Sequence, residues 1–209
     1  MKWKQIPLGP LQTNCYLLYN EEGKCIIFDP GAEGASLNDF LIEQGFTPLA
    51  IVMTHAHFDH IGAIDAVRDQ WDIPVYIHEL EAEWLTNPSL NGSARYGANI
   101  TAKAAEHQLS EEKKLSIGPF SLNLFHTPGH SPGSISYYSE EANVVFAGDT
   151  LFQGSIGRTD LPGGSHSQLL KSISEKLLTL PEDTVVLSGH GPATTISSEK
   201  SNNPFLTGI

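Results

Sequence analysis

The chain has 209 residues, of which 40% are hydrophobic and 17% charged, a composition that argues against a disordered, fibrous or membrane protein. Its formal net charge of -12 is a poor electrostatic match for nucleic acid. The N-terminus lacks the apolar stretch of a signal peptide, and no segment is apolar over the length that a bilayer requires, so we expect one cytoplasmic domain over residues 1–209 with neither nucleic-acid nor membrane partners.

Short apolar runs predict strands and helices in the first half of the chain. Residues 14–19 and 24–28 are predicted strands joined by a hairpin, and they contain Cys15 and Cys25. Thiols inside such apolar runs are expected to be buried and free rather than bridged. The following predicted elements are a helix around residues 37–42 that ends at Gly45, a strand at 49–53, an amphipathic helix at 61–71 and a strand at 75–77.

Residues 86–108 show little periodicity and predict a long loop, which is either a binding loop or lid or a solvated excursion. The second half then repeats the order of the first. Its predicted elements are strands at 121–125, 134–138 and 144–147, a helix around 169–177 capped by Ser165 or Ser167, and a strand at 184–187. Strands followed by a helix, twice, predict two sheets packed together with helices outside.

The strongest chemical signal is the run His-x-His-x-Asp-His, formed by His55, His57, Asp59 and His60. A single histidine is more often an ordinary core or surface residue than a ligand, but four such residues in six positions are improbable by chance. Two histidines two positions apart at a strand end can point the same way. Four ligands in so short a run crowd one ion, and they predict two ions close together.

Three further candidate ligands each follow a turn or a predicted strand and are bracketed by glycine or proline. They are His130 in Thr-Pro-Gly-His-Ser-Pro-Gly, Asp149 in Ala-Gly-Asp-Thr and His190 in Ser-Gly-His-Gly. Strand ends held by a rigid sheet are suitable places to fix the geometry of metal ligands. A catalytic metal normally takes about three protein ligands and keeps one position open, so these residues complete the predicted set.

The motifs Thr-His-Ala-His-Phe-Asp-His, Pro-Gly-His, Gly-Asp-Thr and Gly-His-Gly resemble those of the metallo-β-lactamase superfamily, over nearly the whole chain. The resemblance implies an α/β fold, a four-layer αββα sandwich of two mixed sheets with helices outside. It implies that one metal is held by His55, His57 and His130, a second by Asp59, His60 and His190, and that Asp149 bridges both. Asp29, in Phe-Asp-Pro-Gly, matches an early aspartate that supports the metal loop.

Within the superfamily, a bridging Asp149 together with His60 resembles the glyoxalase II-like hydrolases, as does the run from Phe152 to Gly164. Full-length glyoxalase II carries a C-terminal helical domain that helps to bind glutathione, whereas this chain ends soon after His190. The resemblance therefore implies a small thioester substrate, an S-(2-hydroxyacyl) thiol, and leaves open its thiol carrier and whether the protein is a monomer or a homodimer.

The implied mechanism uses two divalent metal ions, with zinc expected and iron or manganese also suited to these ligands. Water activated by ions that Asp149 bridges attacks the thioester carbonyl, and Asp59 orients that water. A thiol has a pKa near 8.5, so its thiolate leaves without a strong general acid. Arg158 either clamps a substrate carboxylate or pairs with Asp160, and the pair is the commoner arrangement. Phe58, Tyr96 and Phe152 are candidates for lining the pocket.

Four other functions use related chemistry. A mononuclear-iron persulfide dioxygenase of the same superfamily shares the His-x-His-x-Asp-His run, and it is distinguished by its single iron and by oxygen uptake. A lactonase would apply the same chemistry to an oxygen ester, and a nuclease is disfavoured by the acidic charge. A metal-binding protein without activity explains an open two-metal site poorly.

Overall fold

A computed structural model describes residues 1–208, which divide into two compact units. The first unit comprises residues 1–111 with 116–120, and the second comprises residues 112–115 with 121 onward. One six-stranded sheet lies in the first unit and another is built largely from the second, and each unit has a hydrophobic core. The single domain over residues 1–209 stays a prediction.

The first sheet keeps its strands in chain order. They are β1 (Lys2–Leu8), β2 (Thr13–Tyr19), β3 (Lys24–Phe28), β4 (Thr47–Val52), β5 (Val75–His78) and β6 (His107–Leu109). The pairs β1–β2 and β2–β3 are antiparallel, and the pairs from β3 to β6 are parallel. Four consecutive buried residues end β3, from Cys25 to Phe28, as expected of an interior strand.

Parallel strands need crossover connections, and helices supply two of them. Helix α1 (Gly34–Glu43) connects β3 to β4, while α2 (Phe58–Ile61) and α3 (Ile64–Trp71) lie between β4 and β5. Helices α1 and α3 pack closely, since a Cβ on Gly34 would lie 2.5 Å from the Cβ of Ala66. The sequence predicts one continuous helix over residues 61–71, whereas the structure breaks it between Ile61 and Ile64.

The predicted loop at residues 86–108 is anchored in the structure. Two 3₁₀ helices, Glu79–Thr86 and Ser93–Tyr96, flank a fully buried Asn91. Its side-chain Nδ2 donates to the carbonyl oxygen atoms of Trp84 at 3.0 Å and Ile100 at 2.9 Å. Asn91 thus anchors a segment whose other residues are mostly exposed, and the final two residues of the segment begin β6.

The second sheet has the strand order β14-β13-β10-β9-β8-β7. Its strands are β7 (Lys114–Ile117), β8 (Phe120–His126), β9 (Ile135–Ser139), β10 (Val144–Gly148), β13 (Val185–Ser188) and β14 (Thr194–Thr195). Strands β10 and β13 are parallel neighbours, while the pairs β8–β9, β9–β10 and β13–β14 are antiparallel. The short strands β11 (Leu151–Phe152) and β12 (Ser155–Ile156) form a separate antiparallel ribbon.

Two helices accompany this sheet. Helix α4 (His166–Ser172) continues into a π-helical segment, Ile173–Leu177, and α5 (Ile196–Asn202) follows β14. The predicted cap of α4 is confirmed at Ser165, whose Oγ accepts a hydrogen bond from the Gln168 N–H at 3.4 Å. Seven elements have no individual sequence prediction: strands β1, β6, β7, β11, β12 and β14 and helix α5.

Both cysteines are buried and free, as predicted. Burial raises the pKa of the Cys15 thiol well above its usual value and that of Cys25 to about 12, so both thiols stay protonated near neutral pH. Among residues 1–208, no helix has the length and apolar character that crossing a membrane requires.

Candidate metal centre

The His-x-His-x-Asp-His run lies in the first unit, between β4 and α3. His57 is the N-cap of α2, and Asp59 and His60 lie within that four-residue helix. The ring centroid of His55 lies 4.8 Å from that of His57 and 4.1 Å from that of His60. The change from loop to helix thus gathers three imidazole rings from six consecutive residues.

Hydrogen bonds through Thr54 and Asp29 fix the tautomer of His55. The backbone N–H and the hydroxyl of Thr54 donate to the Asp29 carboxylate at 2.8 and 2.5 Å. Because this uses the only hydrogen of the hydroxyl, the Nδ1–H of His55 must donate to the Thr54 Oγ1, 3.1 Å away. The lone pair of His55 then lies on Nε2, the form in which imidazole binds a metal.

His60 is oriented by the same carboxylate. Its Nδ1 lies 3.0 Å from Oδ2 of Asp29, and both side chains are almost completely buried. An ionised carboxylate can only accept, so Nδ1 carries the hydrogen and Nε2 keeps the lone pair. Asp29, His55 and His60 form a group whose candidate ligand atoms lie within 4.8 Å of one another. The Asp29 carboxylate is therefore hydrogen-bonded to Thr54 and His60, an arrangement suited to orienting the two histidines.

Asp59 is held by contacts from earlier strands and turns. Its Oδ2 accepts a hydrogen bond from Oγ1 of Thr13 at 3.0 Å. Gly31 lies against its backbone so closely that an added Cβ would be 1.9 Å from the Asp59 carbonyl oxygen. The Asp-Pro-Gly turn at residues 29–31 thus supports α2 in two ways, through the Asp29 carboxylate and through a glycine that admits close approach.

In the second unit, Asp149 and His190 follow neighbouring parallel strands. Gly148 at the end of β10 is in register with Ser188 at the end of β13, and the Gly189 N–H donates to the Gly148 carbonyl at 2.8 Å. Because parallel strands end at the same sheet edge, the residues that follow them meet there. The His190 Nε2 lies 3.6 Å from the Asp149 Oδ2.

His130 reaches the same carboxylate from a turn that α4 holds in place. An added Cβ on Gly129, where φ is +134°, would lie 2.3 Å from the Leu169 nitrogen. The His130 Nδ1 donates to the carbonyl oxygen of Arg158 at 2.8 Å, which leaves the lone pair on Nε2. That Nε2 lies 3.5 Å from Oδ2 of Asp149. The same Asp149 oxygen therefore lies near the Nε2 atoms of both His130 and His190.

Gly157 brings the Arg158 carbonyl into reach of His130. A Cβ at this position would lie 1.8 Å from the Asp149 carbonyl oxygen and 3.2 Å from the His130 Cβ. The chain after the β11–β12 ribbon thus returns directly over the two candidate ligands, and only glycine permits this approach.

The spacing of these donors fits divalent metal ions. Three separations between a histidine Nε2 and an aspartate Oδ2 are 3.7 Å for His60–Asp59, 3.5 Å for His130–Asp149 and 3.6 Å for His190–Asp149. These are too long for good hydrogen bonds. Two ligands that each bind a tetrahedral ion at about 2.1 Å lie roughly 3.4 Å apart. Imidazole nitrogen and carboxylate oxygen atoms at this spacing suit zinc, iron or manganese.

The side chains of Arg158 and Asp160 form a bidentate ion pair on the surface. Nε and NH2 of Arg158 donate to the two carboxylate oxygen atoms of Asp160, each at 2.7 Å. The two side chains are 56% and 68% exposed. This is the pairing that the sequence analysis considered the commoner arrangement.

The remaining histidines have ordinary contacts. His78 caps a 3₁₀ helix, His107 stacks on Tyr76, His126 hydrogen-bonds the Pro132 carbonyl, and His166 begins α4. Of the predicted pocket aromatic residues, Phe58 and Tyr96 are in ring contact, with centroids 5.3 Å apart. Phe152 lies 6.4 Å from the ring of His190.

Several residues that shape the site have no role in the sequence analysis. Thr54 stands inside the quoted motif, and its position next to His55 is a signal that identifies it. Thr13 and the backbone carbonyl of Arg158 carry no such signal, since their contacts span 46 and 28 residues. Such long-range hydrogen bonds depend on how the chain folds.

Comparison with known proteins places these motifs in context. The model of the metallo-β-lactamase superfamily matches residues 8–190. A protein of Bacillus subtilis (strain 168), described as probable metallo-hydrolase YqgX, is 57% identical over 210 residues, covering 100% of this chain and 99% of the relative. Hydroxyacylglutathione hydrolase GloC of Haemophilus influenzae (strain ATCC 51907 / DSM 11121 / KW20 / Rd) is 36% identical over 203 residues, covering 96% of each chain.

Solved structures show the same similarity. The BLEG-1 B3 metallo-β-lactamase superimposes with a TM-score of 0.98 at 60% identity, covering 99% of this chain and 100% of the other. TTHA1623, solved in a di-iron-bound form, gives a TM-score of 0.85 at 40% identity, with coverages of 97% and 100%. These likenesses confirm the α/β fold class that the motifs implied.

Proposed function

Because this chain belongs to the metallo-β-lactamase superfamily, whose metallo-hydrolases it matches over nearly its full length, we propose that it hydrolyses S-(2-hydroxyacyl) thioesters in the manner of glyoxalase II. The observation that carries the proposal is Asp149, whose Oδ2 has histidine Nε2 atoms at 3.5 and 3.6 Å. A carboxylate approached by two histidines is suited to bridging two ions, the feature that distinguishes the glyoxalase II-like ligand set in the resemblance.

The proposed centre holds two divalent ions, with zinc expected. One ion would be held by His55, His57 and His130 and the other by Asp59, His60 and His190, and Asp149 would serve as a ligand to both. When bound, the ions would supply hydroxide near neutral pH and polarise the substrate carbonyl. Iron remains a suitable alternative, since the similar TTHA1623 has been solved with two iron atoms.

The residues of the chain prepare this chemistry by fixing donor atoms. Asp29, Thr54 and the Arg158 carbonyl hold the Nδ1 hydrogens of three histidines, so that each presents Nε2. Thr13 fixes one oxygen of Asp59, whose carboxylate is proposed to orient the attacking water. A thiolate leaving group needs no strong acid, because the pKa of a thiol is about 8.5.

A second candidate is β-lactam hydrolysis, favoured by the similarity to the BLEG-1 B3 metallo-β-lactamase. The two reactions share attack on a carbonyl carbon but differ in the leaving group. An amide nitrogen needs a proton as it departs, whereas a thiolate does not. We place the thioester first because the Asp149 arrangement fits the bridging ligand set, and because the GloC relative carries the name of such an enzyme over 96% of both chains.

The test begins with metal content per chain, followed in the same sample by hydrolysis of S-lactoylglutathione and nitrocefin and by oxygen uptake with glutathione persulfide. About two metal ions and a thioester kcat/KM far above that for nitrocefin would support the proposal. A higher kcat/KM for nitrocefin would replace it with the second candidate. About one iron with oxygen uptake would replace it with persulfide dioxygenase chemistry, for which a single iron suffices.

A further inference from the structure

A fully buried carboxylate outside the motifs contacts the backbone of the candidate ligand run. The side chain of Glu81 is completely buried, and its Oε2 accepts a hydrogen bond from the Ala56 N–H at 2.6 Å. Ala56 is the single residue that separates His55 from His57. The contact therefore acts on the backbone that joins two candidate ligands.

Glu81 lies on a short element that makes a second contact with the same run. The 3₁₀ helix Glu79–Thr86 begins at the capping residue His78, whose Nδ1 accepts from the Leu80 N–H at 3.2 Å. Trp84 of this helix is also buried, and its ring centroid lies 5.6 Å from that of His57. One helix thus contacts a ligand ring and the backbone beside it.

Asn91 adds a third contact. Its carbonyl oxygen accepts a hydrogen bond from the Phe58 N–H at 3.1 Å, and its side chain donates to the carbonyl of Trp84. Glu81, Trp84 and Asn91 therefore contact three consecutive residues of the candidate ligand run, Ala56 to Phe58.

We propose that Glu81 is a positioning residue for the metal centre, acting through the Ala56 amide to direct His55 and His57. A carboxylate is costly to bury unless it is hydrogen-bonded, and an apolar side chain would fill this interior position at lower cost. The presence of the carboxylate indicates that the position requires an acceptor for this amide. The inference rests on the proposed function only in that these two histidines bind metal.

The test measures zinc affinity of the metal-free protein by competition with a chromophoric chelator. In Glu81→Met the volume is kept but the acceptor is lost, and affinity is expected to fall about 10- to 100-fold, as when an outer partner of a ligand is removed. Glu81→Gln keeps an oxygen that can accept from the amide, and it is expected to restore near-wild-type affinity. Glu83, exposed on the same helix, provides matched controls as Glu83→Met and Glu83→Gln, which should bind zinc like wild type.

Wild-type affinity in Glu81→Met would overturn the inference while leaving the proposed function intact. Equal weakening in Glu81→Met and Glu81→Gln would also overturn it, because the charge and not the acceptor would then matter. A wild-type chain that binds no zinc would overturn both. Should Glu81→Met fail to fold, amide exchange of the metal-free wild type decides, since slow exchange at Ala56 is expected and exchange as fast as at an exposed loop amide would contradict the bond.

Discussion

The two units hold their candidate ligands by different means. In the first unit, a single run from His55 to His60 supplies four candidate ligands, and buried side chains from distant segments hold it through hydrogen bonds. In the second, His130, Asp149 and His190 come from three separate connections, and they are placed by strand register and by glycines in close contact. The first arrangement depends mainly on hydrogen bonds from polar side chains, and the second depends mainly on close packing at glycine residues.

The two sets of candidate ligands should therefore be sensitive to different substitutions. Replacing Asp29 should disturb several candidate ligands of the first unit together, because its carboxylate accepts hydrogen bonds from both Thr54 and His60. In the second unit, one methyl group added at Gly157 should displace the candidate ligands, because the Asp149 carbonyl leaves no room for it. The predictions below test this contrast, beginning with the largest effect.

Asp149→Ala should abolish most activity, on the order of 10³-fold in kcat/KM, and should lower the metal content. The reason is that Asp149 is the carboxylate that both His130 and His190 approach. Metal analysis and thioester hydrolysis on the same sample provide the measurement, and exposed Asp39→Ala serves as the control. An Asp149 variant with full metal content and full turnover would refute the proposed centre.

Asp29→Asn should weaken the first unit by removing charge from three buried hydrogen bonds. We expect a loss of about 1.5–3 kcal/mol in the free energy of unfolding of the metal-free protein, and a fall of about 10- to 100-fold in zinc affinity. Urea unfolding and chelator competition measure the two effects.

Asp72→Asn is the matched control for Asp29→Asn. Both aspartates have a left-handed backbone, with φ of 48° at Asp29 and 51° at Asp72, a conformation that asparagine tolerates. Asp72 is exposed at the end of α3, so its replacement should leave zinc affinity unchanged. Equal effects of the two substitutions would mean that the buried hydrogen bonds contribute nothing.

Gly157→Ala should disturb the second unit through volume alone. The added Cβ forces the loop away from Asp149 and His130, and we expect about 10-fold or greater loss of activity with a destabilisation of about 1–3 kcal/mol. Gly154→Ala is the control, because φ is +66° there but a Cβ meets nothing within 4 Å. It should cost only about 1 kcal/mol of backbone strain and leave turnover intact. Matching losses of activity in the two variants would contradict the prediction, because the close contact at Gly157 would then not be the cause.

Arg158→Ala should have the smallest effect. The exposed pair with Asp160 contributes at most about 1 kcal/mol to stability, and the carbonyl that accepts from His130 remains after truncation of the side chain. KM for S-lactoylglutathione should stay near the wild-type value, because Asp160 already occupies the guanidinium. A large rise in KM, with a lower KM in Asp160→Ala, would instead establish a substrate clamp.

The sequence by itself determined the parts of the molecule that depend on neighbouring residues. Apolar runs located the interior strands, and β3 (Lys24–Phe28) has the predicted bounds because a continuous apolar run is a local signal of a strand buried on both faces. The His-x-His-x-Asp-His run and the three glycine-bracketed ligands were also visible, since metal chemistry restricts which residue types can serve.

The long-range hydrogen bonds that hold the candidate ligands become apparent only in the folded structure. No local pattern shows that Glu81 reaches the Ala56 amide across 25 residues, that Thr13 holds Asp59 across 46, or that Arg158 contributes its carbonyl to His130. The same holds for the anchored segment at residues 86–108, whose weak periodicity hides the interior contacts of Asn91. Such hydrogen bonds join carboxylates, hydroxyls and backbone groups that occur throughout the chain, so only the folded chain selects the partners.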